Sequence, residues 1–373
     1  MSDRRKIPDK ALFVVNSLSG GGAERVCVYL ANAMSRFAVV DIAVLYDDDE
    51  VPNMPRVRIV SLGMTYGASK AAKILQLFNA RKKLNRFVNE RERDGRYALI
   101  TAHLTAAHVV TSLSCIADRC LYVHHSLPTA IKGLYPAPLL GCLERVYHNG
   151  QSISVSEGVR RQAIECFGVL PENIETIYNC VPLEDVRAGR DEPISQNRPF
   201  ILCVGRLVAS KRFDRMVTAY AEGAFAEAFD LVFLGQGALQ TELQKQADAL
   251  GVGSTVRFLG YVDNPYAWMS KSSAMVMTSD REALPTVLVE GLMAGANVIS
   301  ADCDFGPREI LTGNLADFLV PPDSIAGYVD AIRRALQCYP TPGPEYFARY
   351  RADKVIRHYS EHYRAVVLAR EEA

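Results

Sequence analysis

The feature that most constrains the fold is an alternation between short apolar runs and longer stretches of helical periodicity. The apolar runs are rich in Val and Ile, and several, such as ALFVVN and VDIAVLY, contain almost no polar residue. A strand covered on both faces of a parallel sheet has this composition, and the segments between the runs are long enough for crossover helices. The first half of the chain therefore predicts a doubly wound α/β domain, with strands near residues 11–16, 38–45, 57–62, 97–102, 120–124, 151–156 and 174–178.

The alternation is interrupted once and then resumes. Residues 187–198, RAGRDEPISQNR, are polar and include Gly189 and Pro193, which predicts a linker. A second doubly wound domain is predicted after it, with strands near 199–205, 230–235, 255–260, 273–279, 296–302 and 316–321. The predicted fold class is thus α/β with two Rossmann-like domains facing across a cleft, at 1–187 and 188–343, followed by a helical segment at 344–373.

Composition argues against several classes of function. Among 373 residues, 42 basic and 42 acidic side chains balance, which argues against nucleic acid as the main partner. No apolar stretch approaches the ~18 residues of a membrane span, and the apolar run near the N-terminus is too short for a secretion signal. The nine cysteines include no CxxC pair and no Cys/His grouping at zinc spacing, which predicts reduced thiols in a cytoplasmic protein.

Functional residues are expected on the loops that follow strands, because ligands bind beyond the carboxyl ends of strands in open α/β sheets. Residues 17–25, SLSGGGAER, follow the first predicted strand, and Gly20, Gly21 and Gly22 would let the backbone approach a ligand beside a helix N-terminus. A tight turn without a ligand is the alternative. The loop GQGALQ at 235–240 gives a weaker signal, because it lacks the third glycine of a dinucleotide fingerprint.

Charged residues follow two strands of the second domain. Arg206 and Lys211 lie in the loop GRLVASKR, where two cations beside a helix N-terminus would neutralise a diphosphate. Glu282 lies in SDREALPTVLVEGLMAGANVISAD, in a loop whose Pro285 begins a helix that carries Glu290. The two carboxylates can then reach one ligand, with free helix N–H groups between them. Ordinary surface charge is the alternative for each cation taken singly.

These motifs resemble the GT4 group of retaining glycosyltransferases with the GT-B fold, over nearly the whole chain. Glu282 and Glu290, with seven residues between them, match the paired-glutamate motif E-x7-E of that group. The chain departs from the family pattern at Ala283, where the family usually has glycine, and at Asn179–Cys180, where it often has Asn-Gly. Further matches are SGGGAER at 19–25, SVSEGVRR at 154–161, IYNCVP at 177–182, VGRLVASKRFD at 204–214, FLGQG at 233–237 and FLGYV at 258–262.

The resemblance implies a role for each matching position. Glu282 and His125 would act on the transferred sugar, and Glu290 would bind the nucleotide ribose. His124 is the alternative to His125, because adjacent strand residues face opposite ways, and His103 ranks below both. A histidine with a purely structural role remains the alternative interpretation for this position. The resemblance also implies that the C-terminal helix crosses back onto the first domain. The donor diphosphate would be held by Arg206, Lys211, Gly21, Gly22, Leu284, Pro285 and Thr286, and the base by Tyr261 and Val262.

The implied function is transfer of a sugar, with retention at its anomeric carbon, from a nucleotide-diphosphate sugar to a glycan or lipid-linked glycan in cell-surface polysaccharide or lipopolysaccharide biosynthesis. Uridine is favoured as the base. No cofactor and no metal are expected, because Arg206, Lys211 and helix dipoles can offset the phosphate charge. The acidic run DDDE at 47–50 resembles an Asp-x-Asp metal motif but is interpreted as an exposed turn. A nucleotide-sugar epimerase of similar fold and a non-catalytic nucleotide-sugar-binding protein are the alternatives.

A basic segment of the first domain raises the question of a membrane partner. Residues 68–96 carry nine cations and three anions, with apolar residues at roughly helical spacing. Such a helix can lie on an anionic membrane surface, where a lipid-linked acceptor would be found. The alternative is a crossover helix whose apolar stripe packs on the sheet and whose cations are solvated. The resemblance favours the membrane, so the predicted location is cytoplasmic, with peripheral attachment to the inner face of the plasma membrane.

Overall fold

The computed structural model describes residues 9–18, 21–47, 53–126 and 137–368, which belong to two compact units. The first unit consists of Met1–Cys180 together with Arg349–Ala373, and the second of Val181–Ala348. The chain therefore changes unit after residue 180 instead of 187, and again after residue 348 instead of 343.

The described part of the first unit contains one parallel sheet of seven strands. The strands are β1 Lys10–Val15, β2 Val39–Tyr46, β3 Val57–Met64, β4 Leu99–His103, β5 Leu121–His124, β6 Ser152–Ser154 and β7 Ile174–Thr176. The helices between them are α1 Gly22–Met34, α2 Lys70–Arg91, α3 Thr105–Ser112, α4 Ala137–Asn149 and α5 Glu157–Phe167. The strand order is β3-β2-β1-β4-β5-β6-β7, and all seven predicted strands are confirmed.

Burial explains why the strands of this sheet read as continuous apolar runs. Every residue of β1 is buried, and β1 pairs in parallel with β2 on one side and β4 on the other. The order of the strands reverses direction at β1, as in a doubly wound sheet. The carboxyl ends of β1, β4 and β5 consequently lie side by side, and the residues that follow them are brought to one edge.

The described part of the second unit repeats the architecture, with a main sheet of six parallel strands and a separate pair of short strands. Its helices are α6 Leu183–Gly189, α7 Phe213–Glu222, α8 Gln240–Ala249, α9 Pro265–Lys271, α10 Thr286–Ala294, α11 Pro307–Ile310 and α12 Ile325–Gln337. The strands are β8 Phe200–Val204, β9 Asp230–Leu234, β10 Val256–Gly260, β11 Ala274–Met277, β12 Arg281–Glu282, β13 Val298–Ala301, β14 Asp304–Phe305 and β15 Leu319–Val320. The six-stranded sheet has the order β10-β9-β8-β11-β13-β15, which confirms the predicted second α/β domain.

Two elements of the second unit were absent from the sequence prediction. Strands β12 and β14 each have two residues and pair with each other in parallel, outside the main sheet. Two-residue strands carry no periodicity, so hydrophobic pattern could not predict them. Their pairing joins the loop after β11 to the loop after β13.

The segment predicted as a linker, 187–198, is bonded to the second unit. The carbonyl of Gly189, the last residue of α6, accepts a hydrogen bond from Asn264 Nδ2 at 2.9 Å. Farther along, Ser270 and Lys271 at the end of α9 donate to the carbonyl of Arg190 at 2.5 and 3.3 Å. Side chains at the two ends of α9 thus satisfy backbone carbonyls of this segment, which therefore belongs with the second unit.

The C-terminal segment is helical as predicted but is divided into three parts. A 3₁₀ helix at Pro344–Tyr350 ends before the extended residue Arg351, then comes α13 Ala352–Tyr363, and a π-helical turn at Arg364–Leu368 follows. Helix α13 packs against α1 of the first unit. Within the described residues, no helix is both long enough and apolar enough to cross a membrane.

Candidate functional site

The second unit places Lys211 and Glu282 in direct contact. Lys211 Nζ lies 2.5 Å from Glu282 Oε1, although the two residues are 71 positions apart in sequence. Lys211 ends a short 3₁₀ turn after β8, and Glu282 lies in β12, after β11. Since β8 and β11 are neighbours in the sheet, the pair lies at their carboxyl ends, where the sequence predicted a ligand.

Backbone hydrogen bonds fix the two loops that carry this pair. Thr278 Oγ1 donates to the carbonyl of Lys211 at 2.9 Å, and the N–H of Asp280 donates to the carbonyl of Ser210 at 3.0 Å. On the other side, the N–H of Gly306 donates to the carbonyl of Glu282 at 3.0 Å. The loops after β8, β11 and β13 therefore form one connected layer around the Lys211–Glu282 ion pair.

Helix α10 begins beside this pair and carries the second glutamate. Pro285 precedes the helix instead of opening its first turn, so α10 starts at Thr286, one residue later than predicted. Glu290 is only 4% exposed on the buried face of α10. Gly295 ends the helix in the left-handed region, at φ +99°, as its sequence position predicted.

The two departures from the family pattern require no unusual backbone. Ala283 and Cys180 both have negative φ, so the side chain that replaces glycine introduces no left-handed strain at either position. Among the described residues, positive φ outside glycine is found at Leu104, Arg212, Ala224 and Phe305. The loop that carries Glu282 can therefore form with alanine at 283.

Glycines hold the loops after β8, β9 and β10 against one another. A Cβ atom on Gly235 would lie 2.1 Å from the carbonyl oxygen of Gly205, and one on Gly237 would lie 2.2 Å from that of Leu207. The N–H of Gly235 also donates to the carbonyl of Gly260 at 2.7 Å. The weak GQGALQ motif thus has a structural reason: only glycine allows these loops to touch.

The predicted diphosphate and base contacts of the second unit lie on these loops. Arg206 follows Gly205 and is exposed, and Tyr261 follows Gly260 with 76% of its surface exposed. Val262 is partly buried beside it. The structure therefore gathers the loop of Arg206 and the loop of Tyr261 and Val262 at one edge of the sheet, through the GQGALQ turn between them.

In the first unit, the glycine loop already has an internal hydrogen-bond partner. Helix α1 begins at Gly22, and the N–H of Gly21 donates to Glu24 Oε2 at 3.1 Å. A carboxylate three residues into a helix commonly closes back on the N-terminus in this way. A phosphate bound by the N–H of Gly21 would have to replace this hydrogen bond. The motif SGGGAER contains Glu24, but the motif alone did not predict that its side chain bonds Gly21.

Four buried histidines surround the carboxyl ends of β4 and β5. His125 Nε2 lies 2.9 Å from His103 Nδ1, and His103 Nε2 lies 3.0 Å from Thr101 Oγ1. His124 instead lies 3.2 Å from Ser152 Oγ through its Nε2. The two adjacent histidines therefore have different partners, as strand alternation predicts, and His103, which the sequence ranked last, is the direct neighbour of His125.

Burial keeps these imidazoles neutral. Loss of hydration lowers the pKa of His125 to about 3 and the pKa of His108 to about 4. The same cause holds the pKa of His103 and of His124 well below the ordinary value, and neighbouring histidines add to it. A neutral His125 can exchange hydrogen bonds with a sugar hydroxyl but brings no positive charge to it.

This burial predicts a dependence of folding stability on pH. Between pH 6.5 and about pH 4 the unfolded chain binds protons that the folded chain excludes, so the free energy of unfolding should fall as the pH is lowered. The slope is about 1.4 kcal/mol per pH unit for each histidine that titrates fully. Urea denaturation of wild type and His125→Asn at pH 7, 6 and 5 should show a smaller slope for the variant. The matched control is His148→Asn, because His148 is exposed; equal slopes for all three proteins would contradict the assignment.

No group of three or more His, Cys, Asp or Glu side chains suited to a metal ion occurs in the ranges 9–18, 21–47, 53–126 and 137–368. Of the acidic run at 47–50, Asp47 accepts a hydrogen bond from Ser61 Oγ, and Asp48–Glu50 lie outside the described residues.

Two family models match consecutive parts of the chain. Residues 20–185 match the model described as Glycosyltransferase Family 4, and residues 187–352 match that described as Glycosyl transferases group 1. The two matches correspond closely to the first and second units, and together they leave out only the ends of the chain and residue 186.

Curated relatives carry names of the same kind. A Campylobacter jejuni N-acetylgalactosamine-N,N'-diacetylbacillosaminyl-diphospho-undecaprenol 4-alpha-N-acetylgalactosaminyltransferase is 30% identical over 49% of this chain and 49% of its own length. The chain thus spans about half the length of this relative. A second Campylobacter jejuni enzyme, an alpha-1,4-N-acetyl-D-galactosaminyltransferase acting on an undecaprenol-linked glycan, is 25% identical over 84% of the chain and 85% of its own length.

Solved structures share the fold over almost the full chain. The Anabaena protein HepE, crystallised with UDP-glucose, superposes with a TM-score of 0.70 at 17% identity, covering 98% of this chain and 100% of its own. The lipopolysaccharide outer core galactosyltransferase WaaB superposes with a TM-score of 0.68 at 18% identity, covering 97% and 99%. The predicted fold class, two doubly wound α/β domains of GT-B type, is confirmed by these likenesses.

Proposed function

Because the chain belongs to the GT4-type glycosyltransferases, we propose that it transfers a hexosyl unit from a nucleotide-diphosphate sugar to a glycan or lipid-linked glycan. The observation that carries the proposal is the Lys211–Glu282 ion pair at the carboxyl ends of β8 and β11. In a nucleotide-diphosphate sugar the diphosphate is attached directly to the sugar. The cation that binds the diphosphate must therefore lie beside the carboxylate that contacts the sugar, as Lys211 lies beside Glu282.

The donor is proposed to be a UDP-sugar. Support comes from HepE, a protein of the same fold, which was crystallised with UDP and with UDP-glucose. Calorimetric titration and thermal shift with a panel of nucleotide sugars test the proposal, because a ligand at 100 times its Kd stabilises the folded state by about 2.7 kcal/mol. The largest shift is expected for a uridine nucleotide; a larger shift with a GDP-sugar or ADP-sugar would contradict the choice of base.

Each predicted site residue keeps its role in this proposal. Arg206 and Lys211 stabilise the negative charge that develops on the leaving diphosphate, and the first N–H groups of α10, after Leu284 and Pro285, add to them. Glu290 binds the ribose, and Tyr261 with Val262 contacts the base. Glu282 contacts the transferred sugar. For Gly21, Gly22 and His125 of the first unit, the roles that the resemblance implies stay predictions.

The proposed reaction retains the configuration of the anomeric carbon. The acceptor hydroxyl attacks from the face that the diphosphate leaves, the C1–O bond to phosphate breaks, and the leaving phosphate accepts the acceptor's proton. Arg206 and Lys211 can stabilise negative charge on the leaving phosphate. Neither side chain can act as a base on the face of C1 opposite the diphosphate. Proton NMR of the first product formed from an α-linked donor should show an α-glycoside; a β-glycoside would overturn this mechanism.

Transfer is also proposed to be independent of a metal ion. Lys211, Arg206 and the N-terminus of α10 supply positive charge that a divalent cation supplies in other transferases. Activity should therefore remain within about twofold of its starting value after dialysis against EDTA, measured as release of nucleoside diphosphate. Loss of activity that manganese or magnesium restores would contradict this prediction.

The acceptor is proposed to be lipid-linked and reached at an anionic membrane surface. The two Campylobacter relatives are named for undecaprenol-linked acceptors, which supports a lipid carrier. The protein would then be cytoplasmic and peripheral to the plasma membrane.

Helix α2 contains both a packed face and an exposed face. Its stripe of Leu77, Ala80, Leu84 and Val88 is buried, so the apolar stripe does pack as a crossover helix. On the remaining surface, however, Leu75 is 63% exposed and Phe78 is 43% exposed, and Tyr66 just before the helix is 67% exposed. Lys82, Lys83 and Arg86 are exposed one to three turns farther on. This basic apolar face supports docking on lipid.

Vesicle co-sedimentation tests the docking proposal. The triple variant Lys82→Glu, Lys83→Glu, Arg86→Glu should lose binding to vesicles rich in phosphatidylglycerol, since each cation near anionic lipid contributes about 1 kcal/mol. Arg81 is left unchanged because its Nε donates to the carbonyl of Leu113 at 2.5 Å. The charge-matched control changes the exposed residues Arg145, Arg161 and Lys245 to Glu. Equal sedimentation of both triple variants, or no binding of wild type at low salt, would contradict the proposal.

A further inference from the structure

We propose that Asp280 is a positioning residue for Lys211. Its carboxylate contacts two arginines, Arg212 and Arg215, which lie one and four residues after Lys211, and so holds the ammonium of Lys211 at the place where it meets Glu282. This inference rests on the proposed function, because it assigns a partner to the proposed donor-binding lysine. Asp280 is not among the site residues that the family resemblance implies.

The contacts of Asp280 reach both ends of the Lys211 turn. Its N–H donates to the carbonyl of Ser210 at 3.0 Å, one residue before Lys211. Its Oδ1 lies 3.3 Å from Arg212 Nη1 and 2.6 Å from Arg215 Nη1, one and four residues after Lys211. Asp280 is therefore bonded to both sides of the lysine and stands two residues before Glu282.

The backbone of Arg212 requires such an anchor. Arg212 has φ +48° and ψ +43°, the left-handed region, which disfavours any residue that carries a Cβ atom. It occupies this conformation as the hinge between the 3₁₀ turn that ends at Lys211 and the first residue of α7. Its guanidinium is held by Asp214, at 3.0 Å, as well as by Asp280. The two carboxylates offset the unfavourable backbone that orients Lys211.

Of the two arginines that contact Asp280, Arg215 is the buried one. Arg215 is 5% exposed, and its guanidinium also donates to the carbonyl of Thr278 at 3.2 Å and contacts Asp323. A buried guanidinium keeps its position only while its partners are present. Thr278 in turn donates to the carbonyl of Lys211. The arginine, the threonine and the aspartate thus form a closed set of contacts around the lysine backbone.

The chosen variant is Asp280→Asn, which removes the charge but keeps the shape and the N–H that bonds Ser210. Uridine diphosphate is the probe, and binding is measured by calorimetry. The expected Kd rises on the order of tenfold, because a displaced contact group loses much of its effect. Asp330→Asn is the matched control, since Asp330 also pairs with an arginine, Arg334, at 2.9 Å in the same unit. Its Kd should change by less than about twofold.

A second readout does not depend on the donor. The rate at which an amine-acylating reagent modifies Lys211, followed by peptide mass spectrometry, should rise several-fold in Asp280→Asn, because Lys211 is released from Glu282. It should stay at the wild-type rate in Asp330→Asn. If wild type binds no uridine diphosphate, the proposed function fails on its choice of donor, while the acylation rates still decide the positioning role.

Arg212 variants separate the ion pair from the backbone effect. Arg212→Gly removes the contact to Asp280 and relaxes the left-handed turn, whereas Arg212→Ala removes the contact and keeps the strain. The proposal expects weaker binding of uridine diphosphate and faster acylation in Arg212→Ala, and a smaller effect in Arg212→Gly, because glycine adopts the left-handed region without strain. These variants also decide the matter if Asp280→Asn fails to fold. Wild-type affinity together with a wild-type acylation rate in Asp280→Asn, or in Arg212→Ala, would overturn the proposal.

Discussion

Replacing Lys211 by alanine is expected to lower the affinity for uridine diphosphate by roughly 10- to 150-fold. The range corresponds to about 1.5–3 kcal/mol, the usual contribution of a hydrogen bond to a charged group. The ammonium is already positioned, 2.5 Å from Glu282 and partly shielded from water, so little order has to be gained when phosphate arrives. Calorimetric titration of wild type and variant measures the difference.

The same experiment on Glu282→Ala should give the opposite result for binding. Removal of the carboxylate takes away a competitor of phosphate for the ammonium, while the backbone turn of Lys211 that Asp280 holds stays in place, so the affinity for uridine diphosphate should stay equal or increase. Turnover with the full nucleotide sugar should nevertheless fall on the order of 10²-fold, since the contact to the sugar is lost in the transition state. Lys245→Ala serves as the control, because Lys245 is an exposed lysine of the same unit. Near-normal turnover in Lys211→Ala and Glu282→Ala would remove the basis for the assigned site.

The second large effect is expected for Gly306→Ala. The φ and ψ of Gly306, −58° and −36°, suit alanine, so the backbone conformation itself raises no objection. A Cβ atom there would nevertheless lie 2.5 Å from the carbonyl oxygen of Ala283 and 2.7 Å from Pro285 Cδ. These atoms belong to the loop between Glu282 and α10, which would have to move. Activity should fall at least tenfold, and overpacking should destabilise the fold by about 1–3 kcal/mol.

A glycine without neighbours provides the comparison for Gly306. Gly141 lies in α4, and apart from the backbone of its own helix and its two chain neighbours, no heavy atom of the described residues comes within 4 Å of a Cβ atom built on it. Gly141→Ala should therefore leave activity unchanged and stabilise its helix slightly. Activity assays and thermal unfolding of both variants give the answer. If Gly306→Ala retained full activity, the close packing of its loop on the Glu282 loop would have no consequence for the site.

Strands and site residues differ in how well sequence predicts them. The 13 strands of the two main sheets were predictable because a strand that is buried on both faces is a continuous run of apolar residues, as in β1 and β9. The loops that carry Lys211 and Glu282 were predictable as loops at strand ends. Their 2.5 Å separation was not, because it depends on the neighbouring positions of β8 and β11 in the sheet, which lie 70 residues apart in sequence.

Residues that act through others left no sequence signal. Asp280 is one polar residue in a polar loop, and only its contacts to Arg212 and Arg215 distinguish it. His103 follows a strand of its own and ranked below both His124 and His125, and spacing cannot reveal that β4 and β5 bring it to His125. Gly21 matched a motif, yet its N–H is occupied by Glu24. The roles of the site residues themselves stay predictions for the variants above.

The return of the chain to the first unit has a consequence for biosynthesis. Helix α13 packs on α1, and its Tyr359 and Tyr363 are buried in a unit whose other residues end at Cys180. During translation the ribosome must therefore complete the whole of Val181–Ala348 before it supplies the last helix of the first unit. The second unit, continuous in sequence, can fold as it emerges. The first waits, with the apolar surface beneath α13 uncovered, until the segment that begins at Arg349 has been made.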